Sequence, residues 1–270
     1  MLVDLHNHTK MCCHARGEME EYVMAALEKG IDIFGFSAHS PWMFQNGGPK
    51  MTLAYDEVPI YMDTVRRLQE KYSSQDDSKI SILLGMEMDY LEGKLDSALQ
   101  YAEKYDFDYI IGSVHHIGGW GFDQESQLSL YEKQPIRVVY EQYFELVKKL
   151  AKSGAFDIIG HLDLVKKFGY YPENGWDDIQ EDVASVIAET GMVVEINTSG
   201  RDKPVKEFYP GEAFLKQLYQ KGVQVTLGSD SHAPEHVGRY LHDAVQLLED
   251  IGYTEIVFFE KRNKRLISIV

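Results

Sequence analysis

Cysteine is nearly missing from this chain. Among 270 residues only Cys12 and Cys13 are cysteine, and they are neighbours. Adjacent cysteines make a poor disulfide, which excludes a disulfide-built scaffold and suits a reducing compartment. Long apolar runs are missing as well: none approaches the roughly 20 residues that a membrane helix needs. The N-terminus carries Asp4 and His6 where a signal peptide would have a basic start and an apolar core. A cytoplasmic protein without a membrane partner is expected. Basic residues are in deficit, 27 Lys and Arg against 43 Asp and Glu, for a net charge of −16. A nucleic-acid partner would require clustered cations and is not expected, although bound divalent cations can reverse the sign of such a surface locally. Linkers rich in Pro, Gly or Ser, low-complexity tracts and short repeats are also lacking, so residues 1–270 read as a single domain. The oligomeric state stays open.

What the chain has is a regular alternation. Apolar, β-branched runs stand at Leu2–Leu5, Ile31–Ser37, Ile80–Met86, Phe107–Ser113, Phe156–Gly160, Met192–Asn197 and Val223–Ser229, with a weaker one at Glu255–Phe259. Between them lie amphipathic stretches such as "EMEEYVMAALEKG", "VPIYMDTVRRLQEKY", "YEQYFELVKKLAKSG", "DDIQEDVASVIAETG" and "GEAFLKQLYQKG", several ending in a glycine suited to cap a helix. Strand and helix alternating some seven times is the pattern of a parallel α/β fold. The nearly continuous hydrophobicity of the runs suits strands buried on both faces. An open doubly wound sheet and a closed barrel both satisfy this pattern.

The residues just beyond each run favour the barrel. His6 and His8 follow the first, His39 the second, Glu87 the third, His115 the fourth and His161 the fifth; Asn197 ends the sixth, and Asp230 and His232 follow the seventh. Each is able to ligate a metal or hydrogen-bond a ligand. A single histidine beside a strand is usually a satisfied structural group, but seven strand ends of this kind converge only on the rim of a parallel barrel, where active sites are built. Side chains two apart on a strand share a face, which brings His6 and His8 within ~7 Å at Cα. Asp4, two residues earlier, is a candidate to orient the His6 imidazole.

"DLHNHT…CCHA", "SAHS", "GMEMDY", "GSVHH", "GHLDL" and "LGSDSH" resemble, in order, the signature blocks of the PHP (polymerase and histidinol phosphatase) superfamily. "FDYIIGSVHHIGGW", "DIIGHLDLVKKFG" and "EINTSG…KPVKEFYP" resemble its histidinol-phosphate phosphatase branch. The resemblance implies a distorted, TIM-like (β/α)7 barrel with a three-metal cluster at the C-terminal rim of its strands. It also implies an enzyme, a phosphoric monoester hydrolase of histidine biosynthesis that takes L-histidinol phosphate to L-histidinol and phosphate. By the same resemblance His6, His8, Glu87 and Asp230 would hold one cation, Glu87 with His115 and His161 a second, and His14, His39 and His232 a third. Glu87, Asp230 and His232 are the catalytic candidates. Two positions depart from the family pattern: Ala38 stands where many relatives have Asp, and Asp202 where relatives tend to have a basic residue.

Imidazole and carboxylate ligands without thiolates suit Zn, Fe or Mn. A carboxylate shared by two cations keeps them roughly 3.5–4 Å apart, with a bridging hydroxide as the expected nucleophile on phosphorus. Phosphate recognition asks for Lys or Arg, and Lys166, Lys167, Arg201 and Lys203 are available; Asn197 and Trp120, the latter with Phe122 and Asp123 nearby, are further candidates to touch substrate. Cys12 and Cys13 have no ligand role in this scheme, and His116, His236 and His242 match no ligand position. The alternative activity is that of a PHP phosphatase or phosphodiesterase acting on another small phosphoester or nucleotide.

Overall fold

The computed structural model describes residues 1–41, 51–73 and 80–269. Seven strands, β1 (Val3–Asp4), β2 (Ile33–Phe36), β3 (Ser81–Asp89), β4 (Tyr109–Ser113), β5 (Ile158–Ile159), β6 (Val193–Asn197) and β7 (Val225–Gly228), form one sheet in sequential order. Every neighbouring pair is parallel. The sheet closes on itself: Leu5 N donates to Leu227 O at 3.0 Å, His8 N to Ser231 O at 2.9 Å and Ser231 N to His6 O at 3.2 Å. The barrel expected from the strand-end residues is therefore the observed architecture.

Helices α1 (Met19–Glu28), α2 (Val58–Ser73), α3 (Leu95–Lys104), α4 (Ile136–Lys152), α5 (Asp177–Thr190), α6 (Glu212–Gln220) and α7 (Leu241–Ile251) alternate with the strands. Each buries one apolar stripe, in α4 for instance Val139, Tyr143, Leu146, Val147 and Leu150. Helix α5 stops where Gly191 turns to φ 68°, a left-handed conformation that glycine adopts without a Cβ penalty. Among the described residues no helix is long and apolar enough to cross a membrane.

The barrel is narrow enough that one side chain spans it. Tyr109, on β4, sends its hydroxyl to Leu5 O at 2.6 Å and Phe36 O at 3.2 Å. A Cβ on Gly35 would stand 2.1 Å from the Tyr109 hydroxyl, and one on Gly85 would stand 2.2 Å from its ring. Glycine on β2 and β3 is what admits the tyrosine.

The weak eighth run does not join the barrel. It forms β8 (Glu255–Glu260), which pairs antiparallel with β9 (Asn263–Ser268). The turn between them, Lys261 and Arg262, has φ 49° and 64°, which non-glycine residues adopt only when surroundings enforce it. Here the N-terminal mouth of the barrel does so. Arg262 N donates to Asp108 O at 2.8 Å, Lys261 N to the Asp108 carboxylate at 3.1 Å, and the Arg262 guanidinium pairs with Asp157 and reaches Ala155 O. Asp32, Asp108 and Asp157 repeat one device around this mouth. Each precedes a strand and accepts an amide from the previous one: Leu2 N at 2.7 Å, Leu84 N at 2.9 Å and Ile110 N at 2.8 Å.

Candidate active site

At the opposite mouth the strand ends assemble a cluster of buried imidazoles around Glu87. His6 and His8 follow β1 and face inward. Asn7, between them, turns the other way, donates to Asp4 O and Gly35 O, and accepts from Ser229 and Ser231. This alternation is what the H-x-H spacing anticipates. Glu87, on β3 and 1% exposed, faces histidines with both oxygens. Its Oε2 lies 2.9 Å from His39 Nδ1, 3.3 Å from His6 Nε2 and 3.5 Å from His8 Nε2. Its Oε1 lies 3.1 Å from His161 Nε2 and 3.7 Å from His115 Nε2, and it accepts from Ser113 at 2.7 Å. Asp230 completes this side, 3.1 Å from His8 Nε2 and 3.8 Å from His6 Nε2. Around His8 stand His232, His39 and, slightly farther, His14, at ring separations of 4.1, 4.4 and 5.7 Å.

Three sets emerge whose ligand atoms lie within 4.8 Å of one another: His6, His8 and Glu87; Glu87, His115 and His161; and His8, His14, His39 and His232. The sequence-derived sets are thus brought together, with His8 standing beside the third as well as the first.

The hydrogen bonds fix which nitrogen is free. His6 Nδ1 faces Glu195 at 2.7 Å, His115 Nδ1 faces Asp89 at 2.6 Å, His14 Nδ1 faces Cys12 O at 2.8 Å and His232 Nδ1 faces Asp230 O at 3.0 Å. Carbonyl and carboxylate oxygens only accept, so Nδ1 carries a proton and Nε2 is the nitrogen turned into the cluster. Among the described residues His6 Nε2, His39 Nδ1 and Glu87 Oε2 are buried without a hydrogen-bond partner. Buried polar atoms left unmet in this way are costly for protein alone and fit a cation.

The charges point the same way. Although burial opposes ionisation, His39 and His6 hold the Glu87 carboxyl well below the usual carboxylate range. Burial, reinforced by His14 and His39 against the pull of Asp230, lowers His232 to about 4 and leaves it neutral. His6 and His115 are the exceptions: against its burial, Glu195 and Glu87 raise His6 well above the usual imidazole range, and the Asp89 carboxylate, again against burial, raises His115 to about 10. Cys12 is inert, since burial pushes its thiol up to about 12, and its sulfur accepts from His39 N.

Two acids escaped the sequence reading. Glu195 lies inside the apolar run "MVVEIN", and an acid in a fully buried strand was the available signal. Asp89 shares a strand face with Glu87, the same spacing of two that singled out His6 and His8. Asp4 does not orient the His6 ring. Its carboxylate accepts from Ser229 N, Ser229 Oγ and Gly238 N at 2.8, 2.6 and 2.9 Å, and Glu195 holds the imidazole instead. Arg239 clasps Ser229 O and Asp230 O at 2.9 Å each, steadying Asp230 at φ 50°.

The substrate candidates fare unevenly. Asn197 is fully buried and its side chain is engaged on Glu195, Asp230 and Ser199, so it braces the site and offers nothing to substrate. Lys166 is 1% exposed between Asp163 at 3.0 Å and Glu207 at 2.7 Å, so its charge is already met by two carboxylates. Arg201 pairs with Asp243 at 2.8 Å and lies over Phe208 and Tyr240. Trp120 packs edge-on against Tyr131 and Phe122, a packing role. Lys167 is held by Asp123. Lys203 alone of these cations makes no ion pair among the described residues; burial, then Lys167, lowers its pKa, while Asp230 pulls the other way.

A family model described as PHP domain matches residues 4–199. The chain belongs to the PHP domain family. Among PHP relatives, a Deinococcus radiodurans protein named "probable histidinol-phosphatase" is 34% identical over 261 residues, covering 97% of this chain and 98% of that one. The histidinol-phosphatase of Lactococcus lactis subsp. lactis is 25% identical over 278 residues, covering 98% of each. A crystal structure of histidinol phosphate phosphatase from Lactococcus lactis, complexed with zinc, L-histidinol and phosphate, matches with a TM-score of 0.81 at 23% identity over 98% of each chain. The fold is thus shared over 98% of each chain.

Proposed function

We propose that this protein is a histidinol-phosphatase, a phosphomonoesterase that hydrolyses L-histidinol phosphate to L-histidinol and phosphate, with residues 1–270 acting as one catalytic unit. The observation that carries the reading is the gathering of nine ligand-type side chains: His6, His8, His39, His115 and His161 about the two oxygens of Glu87, with Asp230 beside His8 and His14 and His232 grouped with His8 and His39. Relatives that bear the same name across nearly the full chain support the substrate.

Three divalent cations, with zinc the first candidate and iron or manganese compatible with the same ligands, would be held by these residues. When bound, such ions offset phosphoryl charge and lower the pKa of water to about 7. The protein's own part is to present imidazoles at fixed angles, to keep Glu87 ionised, and to offer Lys203 to the phosphoryl oxygens. A half-buried cation with no ion pair among the described residues is costly unless an anion joins it. The net charge of −16 accords with a small-molecule phosphomonoester rather than a nucleic acid, and two free thiols accord with a cytoplasmic setting.

The test is phosphate release from L-histidinol phosphate beside a panel of other phosphomonoesters and one phosphodiester, on protein of known metal content. A lead of orders of magnitude in kcat/KM for histidinol phosphate is expected. Metal-loaded protein that ignores it and cleaves another member of the panel would overturn the substrate while leaving the cluster intact.

A further inference from the structure

Glu195 is buried, and both of its oxygens are committed, each to a different candidate ligand. Oε1 accepts from His6 Nδ1 at 2.7 Å, and Oε2 accepts from the backbone N–H of His161 at 2.8 Å. Asn197 Nδ2 also donates to Oε2, at 3.2 Å. Two features show that the fold is built around this carboxylate. Gly228 on β7 is required, because a Cβ there would stand 2.0 Å from Glu195 Oε1. His161 sits at φ 25°, a conformation uncommon for a non-glycine residue, and the bond to Oε2 is one that holds it there.

The two partners serve opposite sides of Glu87. His6 faces its Oε2 and His161 its Oε1. We propose that Glu195 is a positioning residue that couples these two cation positions, one oxygen orienting the imidazole at the first and the other setting the backbone that carries the imidazole at the second. The proposal rests on the metal-binding part of the reading above. It differs from an ordinary carboxylate behind a single histidine, because disturbing one side chain should weaken two ions together.

The hydrogen-bond inventory supplies a variant of nearly unchanged shape. A carboxylate accepts on both oxygens, whereas an amide accepts on one and donates from the other. In Glu195→Gln, either His6 Nδ1–H or His161 N–H must face an NH2 group, and Asn197 Nδ2 adds a further donor to the conflict. Orienting partners of metal ligands are worth about 10- to 100-fold in metal affinity.

The experiment is zinc uptake by the purified full chain, with bound zinc per chain followed across chelator-buffered free zinc, for wild type, Glu195→Asp, Glu195→Gln and His6→Ala. Thermal unfolding of the metal-free proteins runs alongside. For Glu195→Asp, whose shorter carboxylate withdraws from both partners, two equivalents should shift together to about 10- to 100-fold higher free zinc, with the metal-free melting temperature near that of wild type. Glu195→Gln, which keeps an acceptor for one partner only, should shift one equivalent more than the other, and His6→Ala should weaken the first position more than the second. If Glu195→Asp fails to fold, Glu195→Ala asks the same question, since it removes the carboxylate from both partners. For these two variants, a zinc isotherm like that of wild type, or loss of a single equivalent, overturns the coupling and leaves the proposed function standing. Wild-type protein that takes up no zinc overturns both.

Discussion

At the N-terminal mouth of the barrel, Asp32, Asp108 and Asp157 each give an oxygen to a backbone amide of the preceding strand, and Asp108 and Asp157 also secure the β8–β9 turn. At the C-terminal mouth, Glu87 faces five imidazoles, and among the described residues His6 Nε2, His39 Nδ1 and Glu87 Oε2 stay buried without hydrogen-bond partners. The same barrel and the same kind of side chain give a satisfied end and an unsatisfied one. A satisfied acid adds stability, whereas converging acceptors subtract from it until a ligand arrives. Polar side chains lie at both ends, so the difference between a structural and a functional mouth is whether their partners are already present in the chain.

The largest expected effect breaks the unsatisfied end. Glu87→Gln removes the charge shared by two of the ligand sets, and kcat/KM should fall about a thousandfold, the several kcal/mol assigned to metal-borne charge stabilisation. The same variant should lose most of its response to chelation: EDTA should lower the melting temperature of wild type, because bound ions stabilise only the folded state, and should barely move that of Glu87→Gln. A chelator response equal to that of wild type would remove Glu87 from the centre of the cluster.

A smaller effect sharpens the assignment of phosphate binding. Lys203→Ala should reduce kcat/KM for the phosphomonoester by about 10- to 100-fold, the worth of a hydrogen bond to a charged group, with zinc content unchanged. Arg201→Ala, measured in parallel, should stay close to wild type because its guanidinium is turned to Asp243.

The satisfied end gives the smallest activity effects and the clearest stability ones. Asp108→Asn replaces a carboxylate whose oxygens accept Leu84 N and Lys261 N. It should cost roughly 1–2 kcal/mol, lowering the melting temperature by about 2–4 °C per kcal/mol, with zinc uptake and kcat unaltered. Arg262→Ala should act in the same direction and more weakly. A loss of activity beyond the change in stability would show that the two mouths are not independent.

Much of this was legible before any coordinates. The alternating runs, the inward parity of His6 and His8, and the ligand-type residues at successive strand ends follow from periods that a chain cannot hide. The β8–β9 hairpin is only half visible: its first strand reads as a weaker apolar run, and its exposed second strand, Asn263–Ser268, carries little apolar signal.

The sequence by itself determined the strand–helix order and the inventory of metal-competent side chains, because these depend on local periodicity and on chemistry carried residue by residue. Only the tertiary structure decided which polar groups were already spoken for. Lys166 and Asn197 resemble substrate groups until Asp163, Glu207, Glu195 and Asp230 are seen beside them. Asp4 resembles the partner of His6 until Glu195, 189 positions away in the chain, is found on its Nδ1. Hydrogen-bond satisfaction is a property of pairs brought together by barrel closure, and such pairs leave no trace in the spacing of either residue alone.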